Sequence, residues 1–109
     1  MFRVTLEIIL QGMPEEQKCI AGLRELMSNG GACAGPQSSF VCAYANTLVK
    51  VLLAEESSKV LQQTFFTSSL RGLIMHVTVE GENPESVVKI VDLVYRLLRE
   101  CNILVRIIS

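Results

Sequence analysis

Residues 2–16 read FRVTLEIILQGMPEE and hold the decisive pattern of the chain. Apolar residues stand at every even position from Phe2 to Leu10, and the odd positions up to Glu7 are polar. This period of two is typical of a strand with one face on a core and the other toward water. Gly12 then supplies a turn, and Pro14 suits the first position of a helix. The stretch therefore predicts a strand that leads directly into a helix.

The first predicted helix begins at Pro14, where Glu15 and Glu16 lie beside the positive end of the helix dipole. Its apolar residues follow helical spacing, namely Cys19, Ile20, Leu23, Leu26 and Met27. Asn29, Gly30 and Gly31 follow them. Because these residue types accept the left-handed conformation, they are expected to end the helix in it.

The same order of elements returns near the other end of the chain. Residues 73–80 predict a strand, and Asn83 and Pro84 predict the start of a second helix. The apolar residues of that helix form a wide surface: Val87, Val88, Ile90, Val91, Val94, Tyr95, Leu97, Leu98 and Cys101. Asn102 is expected to end this helix in the left-handed conformation. Residues 103–108 then predict a last strand, which its nearly continuous apolar sequence places inside the sheet.

Two such units predict a fold of the α+β class in a single domain, residues 1–109. Its expected architecture is a two-layer sandwich, a mostly antiparallel sheet with two main helices on one face, which is a split βαβ or ferredoxin-like arrangement. Gly12 and Gly81, followed by Pro14 and Pro84, carry the internal similarity of the two units. This similarity is weak evidence of duplication, because turns between strands and helices commonly use these residues.

The middle of the chain allows two interpretations. Residues 30–39 are small and polar and predict a loop, and the next residues, 40–45, predict a short strand. Residues 46–66 are compatible with a helix capped by Asn46 or Thr47. They are also compatible with strands at 47–54 and 60–67 that are joined by a polar turn at 55–59. The alternation from Thr47 to Leu53 slightly favours the strands.

Composition and cysteine usage limit the class of protein. The chain has 109 residues, 50% of them hydrophobic, and a formal net charge of -1, so no positive field attracts nucleic acid. Glu7 interrupts any hydrophobic core of a signal peptide, and no apolar run reaches the ~18 residues of a membrane span. Four cysteines without CxxC spacing suit free, buried thiols. These observations predict a cytoplasmic or nuclear protein with no membrane partner.

The residues that could support chemistry are few, and no catalytic, cofactor-binding or metal-binding set is predicted. His76 is the only histidine, and the nearest acids in the sequence, Glu80 and Glu82, lie close to a turn. One histidine with four scattered cysteines makes a poor zinc site. Cys33 lies in the glycine-containing segment 30–37, which follows the negative end of a helix dipole and so gives a cysteine little activation. The balance of evidence disfavours an enzyme.

The predicted function is that of a non-enzymatic protein–protein interaction or dimerisation module, a small subunit of an intracellular complex. The second helix has more apolar surface than one packing face needs, so part of it is expected to meet a protein partner or a second copy. Its predicted interface residues, together with an exposed aromatic residue of the middle segment, are Phe66, Val88, Tyr95 and Leu97. One alternative is a small-molecule or catalytic site that uses segment 30–37 and Cys33. Another is an RNA-binding sheet built on Phe65 or Phe66.

Overall fold

A computed structural model describes residues 1–36, 39–53 and 73–108. It has the α+β fold that the sequence predicts, with two helices and a six-stranded antiparallel sheet in the described ranges. The elements are β1 (Phe2–Ile9), α1 (Pro14–Gly30), β2 (Gly31–Ala34), β3 (Phe40–Tyr44), β4 (Thr47–Leu53), β5 (Ile74–Gly81), α2 (Pro84–Glu100) and β6 (Leu104–Ile107). The strands are arranged in the order β2-β3-β4-β5-β1-β6.

The core lies against alternate residues of the central strands. Leu6 of β1 pairs with Val77 of β5, and Ile8 pairs with Met75. All four side chains are buried, as the period of two in residues 2–10 predicts. One hydrophobic cluster joins these strand residues to buried residues of both helices, among them Ile20, Leu23, Met27, Val87, Ile90, Val94 and Leu98. The intervening strand residues point away from this cluster.

The N-termini of both helices are held by the residues that the sequence singles out. The buried carboxylate of Glu16 accepts hydrogen bonds from the backbone N–H groups of Gln11, at 3.0 Å, and Met13, at 2.9 Å. At the start of α2, the Asn83 side-chain oxygen accepts from the backbone N–H groups of Glu85, at 2.9 Å, and Ser86, at 3.3 Å. Side chains thus satisfy donors that have no partner inside a helix.

The end of α1 differs from the prediction. Gly31 has a φ of -167°, which is extended backbone, so the left-handed termination expected at residues 29–31 is wrong. The chain passes directly into β2, which pairs with β3, so the loop predicted for residues 30–39 is wrong over Gly31–Ala34. A Cβ at Gly31 would collide with the carbonyl oxygen of Ala43. The glycine is therefore needed for close approach of two strands.

The strand interpretation of the middle segment is confirmed where the structure describes it. Thr47–Leu53 forms β4, so the alternative helix is wrong over these residues. Ala45 and Asn46 both have positive φ, 49° and 63°, and form a two-residue turn between β3 and β4. Positive φ at both central residues is the requirement of a type I′ hairpin. The second predicted strand, residues 60–67, lies outside the described residues.

The last strand is in the predicted place along the chain but not in the sheet. Asn102 has a φ of 60°, which confirms the left-handed turn after α2. β6 then pairs only with β1 among the described strands and lies at the edge of the sheet, so the prediction of an interior strand is wrong. The apolar run was misleading because it shows only that both faces of the strand carry apolar side chains. Whether a strand has one neighbour or two depends on backbone pairing, which the run does not show.

Candidate protein interface at the β6 edge

The outer edge of β6 presents unpaired backbone groups. The N–H of Ile108 donates to the carbonyl oxygen of Thr5 at 3.0 Å, which makes these two residues a hydrogen-bonded pair. Because antiparallel pairs alternate, Arg106 and Leu104 also direct their backbone groups toward β1. Val105 and Ile107 therefore direct their N–H and C=O groups away from it. No strand lies beside this edge in the ranges 1–36, 39–53 and 73–108.

Three apolar side chains along this edge are exposed. Leu104 is 45% exposed, Ile107 is 60% exposed and Ile108 is 43% exposed. Edge strands of single chains are commonly protected by charge, proline or a covering element. The charge of Arg106 is already engaged, because its Nε lies 2.7 Å from Glu7 Oε1. The edge thus combines free backbone groups with apolar side chains.

One flank of α2 adds exposed apolar side chains beside Ile107, which lies on the helix side of the sheet, whereas Leu104 and Ile108 lie on the other face. The Cys101 sulfur bonds to Cys19 of α1, and the Leu97 carbonyl oxygen lies 3.7 Å from Cys19 Sγ, so this flank of α2 faces α1. Helical residues are spaced by about 100°, which places Val88 and Tyr95 on the opposite flank, beside β6. Val88 is 62% exposed and Tyr95 is 36% exposed. We call Val88, Tyr95, Leu104, Ile107 and Ile108 the edge patch.

The predicted interface residues are only partly brought together. Val88 and Tyr95 belong to the edge patch, whereas Leu97 is half-buried and packs against the core on the α1 side. Phe66 lies outside the described residues. A shallow depression of about 330 Å³ adjoins Val88 and is lined by Pro84, Glu85 and Lys89 as well. Leu104, Ile107 and Ile108 were missed, although the pair Ile107 and Ile108 signals an extended segment with apolar side chains on both faces.

A polar cluster lies on the sheet face opposite the core. The Glu7 carboxylate lies between Arg106 and His76, with 3.8 Å separating Glu7 Oε2 from His76 Nε2. The acid near His76 is therefore Glu7 on the adjacent strand, rather than the neighbours in sequence, since Glu80 pairs with Lys50 at 3.0 Å. Sequence reasoning missed Glu7 because only strand register brings residues 7 and 76 together. The Glu7–Arg106 pair joins β1 to β6 across the ladder.

The cysteines are paired, so the expectation of free buried thiols is wrong. One disulfide joins Cys19 of α1 to Cys101 after α2, and the other joins Cys33 of β2 to Cys42 of β3. Cys33 and Cys42 stand directly opposite each other in the ladder. This pairing depends on residues 31–34 being a strand, which the sequence did not predict. Within this disulfide, Cys33 has no thiolate to serve as a nucleophile.

The described part of the chain contains neither a metal-binding cluster nor a membrane-spanning helix. Within it, no three His, Cys, Asp or Glu side chains gather in a way that could hold a metal ion. Neither α1 nor α2 is long and apolar enough to cross a membrane. The chain matches no protein-family model, no curated protein and no solved structure.

Proposed function

We propose that the chain is a non-enzymatic protein–protein interaction module that binds a protein partner or a second copy through the edge patch, as a dimer or as the small subunit of a complex. The observation that carries the proposal is the edge of β6, where the outward backbone groups of Val105 and Ile107 stand among exposed apolar side chains. Addition of a strand would satisfy these backbone groups, and side-chain contacts would supply specificity.

The topology supports the ferredoxin-like interpretation of this module. Four strands follow the order β4-β5-β1-β6, with helices after β1 and β5, and the hairpin of β2 and β3 extends the sheet beyond β4. The joint cluster of helix and strand residues supports a two-layer sandwich. Among the described strands, β6 and β2 are the edges. Because the exposed side chains of β2 are small, β6 is the edge with apolar area to bury.

The two alternative functions have less support. A small-molecule or catalytic site on segment 30–37 would need the thiol of Cys33, which is bonded to Cys42. An RNA-binding sheet would depend on Phe65 and Phe66, which lie outside the described residues. The prediction of a cytoplasmic or nuclear location depends in part on free thiols, and the two disulfides remove that part of its support because disulfides persist mainly in oxidising compartments.

Photo-crosslinking tests the proposed function directly. A benzophenone amino acid at position 107 is expected to capture a polypeptide in native cells, because Ile107 belongs to the edge patch and is 60% exposed. The same group at Leu48, an exposed apolar residue on β4, serves as the matched control and is expected to give no comparable adduct. Mass spectrometry identifies the adducts. Equal capture at both positions, or capture at position 107 only within the same chain, would contradict the proposal.

A further inference from the structure

We propose that the partner at this edge is a second copy of the chain, paired antiparallel through β6 about a two-fold axis that passes beside Arg106. This inference rests on the proposed function, since it names the occupant of the same edge. It joins two six-stranded sheets into one continuous sheet. Isologous pairing of one surface with itself is the commonest way in which soluble chains form dimers.

The outward backbone groups select this register. In a continuous antiparallel sheet, paired residues must have their side chains on the same face. Pairing Val105 with Ile107 of the second copy meets this condition, and it places outward N–H and C=O groups opposite each other on both strands. The symmetric pair adds a second identical set, so the interface gains four backbone hydrogen bonds.

Two neighbouring symmetric registers fit less well. Centring on Val105 would pair Ile107 with Ile103 of the second copy, but the Ile103 N–H already donates to the Leu98 carbonyl oxygen at 3.1 Å. Centring on Ile107 would pair Val105 with Ser109, a polar residue, and would lose an apolar pair. The register about Arg106 keeps two apolar pairs per protomer, Val105 with Ile107 on one face and Leu104 with Ile108 on the other.

The Glu7 carboxylate of each protomer offsets the repulsion between the two Arg106 side chains at the axis. The register places the two Arg106 side chains opposite each other, and like charges in that position destabilise a sheet. Each guanidinium, however, lies 2.7 Å from the Glu7 carboxylate of its own protomer. The row across the joined sheets then holds two arginines and two glutamates. Glu7 thus has a role in assembly, because it neutralises the charge at the axis.

The flank of α2 extends the contact beyond the strands. Ile103 is level with Leu98, to whose carbonyl oxygen it bonds. With rises of about 1.5 Å per helical residue and about 3.3 Å per strand residue, Tyr95 comes near the level of Val105, and Val88 near that of Ile107. The two-fold axis therefore brings Tyr95 of each protomer toward Val88 of the other. This added area matters, because stable interfaces bury about 1,200–2,000 Å² in total.

Cysteine crosslinking tests the register. The four natural cysteines are paired with one another, so Arg106→Cys introduces a single free thiol. Two residues facing each other in a non-hydrogen-bonded pair have Cα atoms about 4.5 Å apart, which suits a disulfide. Under mild oxidation, we expect Arg106→Cys to form a covalent dimer on the order of tenfold faster than Leu104→Cys. In this register the two Leu104→Cys positions are about 13 Å apart, too far for a bond. Equal rates, or faster crosslinking of Leu104→Cys, would overturn the register.

Light scattering tests the dimer itself. We expect the wild-type chain to have twice the protomer mass of 12.0 kDa and Ile107→Pro to have the protomer mass. Proline at position 107 removes an outward N–H and leaves the bonds between β6 and β1 intact. Leu48→Lys, on β4, is the control and should remain dimeric. A monomeric wild-type chain, or a dimer unaffected by Ile107→Pro, would overturn the proposal of self-pairing. In that case, photo-crosslinking of position 107 to a different protein would show that the edge patch still binds a protein partner, so the proposed function would hold although self-pairing does not.

Discussion

Replacing Cys19 and Cys101 together by alanine is expected to lower the free energy of unfolding by about 4.5 kcal/mol at 25 °C. The two cysteines are 82 residues apart, so their bond constrains most of the unfolded chain. The Cys33–Cys42 bond spans a separation of 9 residues, and the same chain-entropy relation gives about 2.6 kcal/mol for it. Loss of the first bond should therefore be the larger perturbation. It is also large compared with the total stability of a small domain, which is about 5–15 kcal/mol.

Urea denaturation of the two double variants, compared with the oxidised wild-type chain, measures this difference. Alanine is the appropriate replacement because Cys19 is buried and alanine places no polar group there. Thiol titration of the unfolded wild-type protein, purified without reductant, is the control and should find no free thiol. Four titratable thiols, or a larger loss from the Cys33 and Cys42 variant, would contradict the pairing and its energetic consequence.

Phe40→Ala is expected to destabilise the fold by about 3–5 kcal/mol. Phe40 is among the largest fully buried side chains, and it stands opposite Val51 in the pairing of β3 with β4. The Cζ atom of Arg24, on α1, lies 5.4 Å from the centre of its ring, a cation–π contact that alanine also removes. The substitution therefore loosens α1 from the β2 and β3 end of the sheet.

Thermal or urea unfolding measures this cost, and Leu48→Ala on the neighbouring strand is the matched control. Leu48 is exposed on the face away from the core, so its truncation should change the stability by less than about 1 kcal/mol. If Phe40→Ala were no more costly than Leu48→Ala, the position of β3 against α1 in this fold would be wrong.

Local signals predicted those elements whose cause lies in neighbouring residues. The period of two in residues 2–10 fixed both the extent of β1 and its buried face, since Leu6 and Ile8 are fully buried. Asn83 and Asn102 marked the two ends of α2 because an N-cap and a left-handed turn each depend on one side chain and one φ angle. The α+β class followed from this alternation of strands and helices.

Features that depend on pairing between distant residues were not predictable in the same way. Gly31 resembles a helix terminator, and only the approach of Ala43 on β3 shows why glycine is required. The disulfides join residues that have no common local pattern, and the close distance of Cys33 to Cys42 exists only in the register of β2 with β3. The edge position of β6 likewise depends on which strand occupies the other side of β1.

The candidate site was predicted in part for the same reason. The width of the apolar surface on α2 pointed to Val88 and Tyr95, which are exposed, because helical periodicity is local. The width of this surface did not distinguish Leu97 from the exposed residues, because tertiary packing decides which flank of α2 faces α1. The partnership of Glu7 with His76 and Arg106 also required the register of three strands.

Residue-resolved amide hydrogen exchange tests the central claim, that the outer edge of β6 is an interface, most directly. In the dilute, unassembled chain, the amides of Val105 and Ile107 should exchange much faster than that of Arg106, whose N–H is directed toward β1. In the assembled protein we expect the exchange of Val105 and Ile107 to slow by at least about tenfold, as new hydrogen bonds form there. Fast exchange of both amides in the assembly, or slow exchange already in the dilute chain, would contradict the claim.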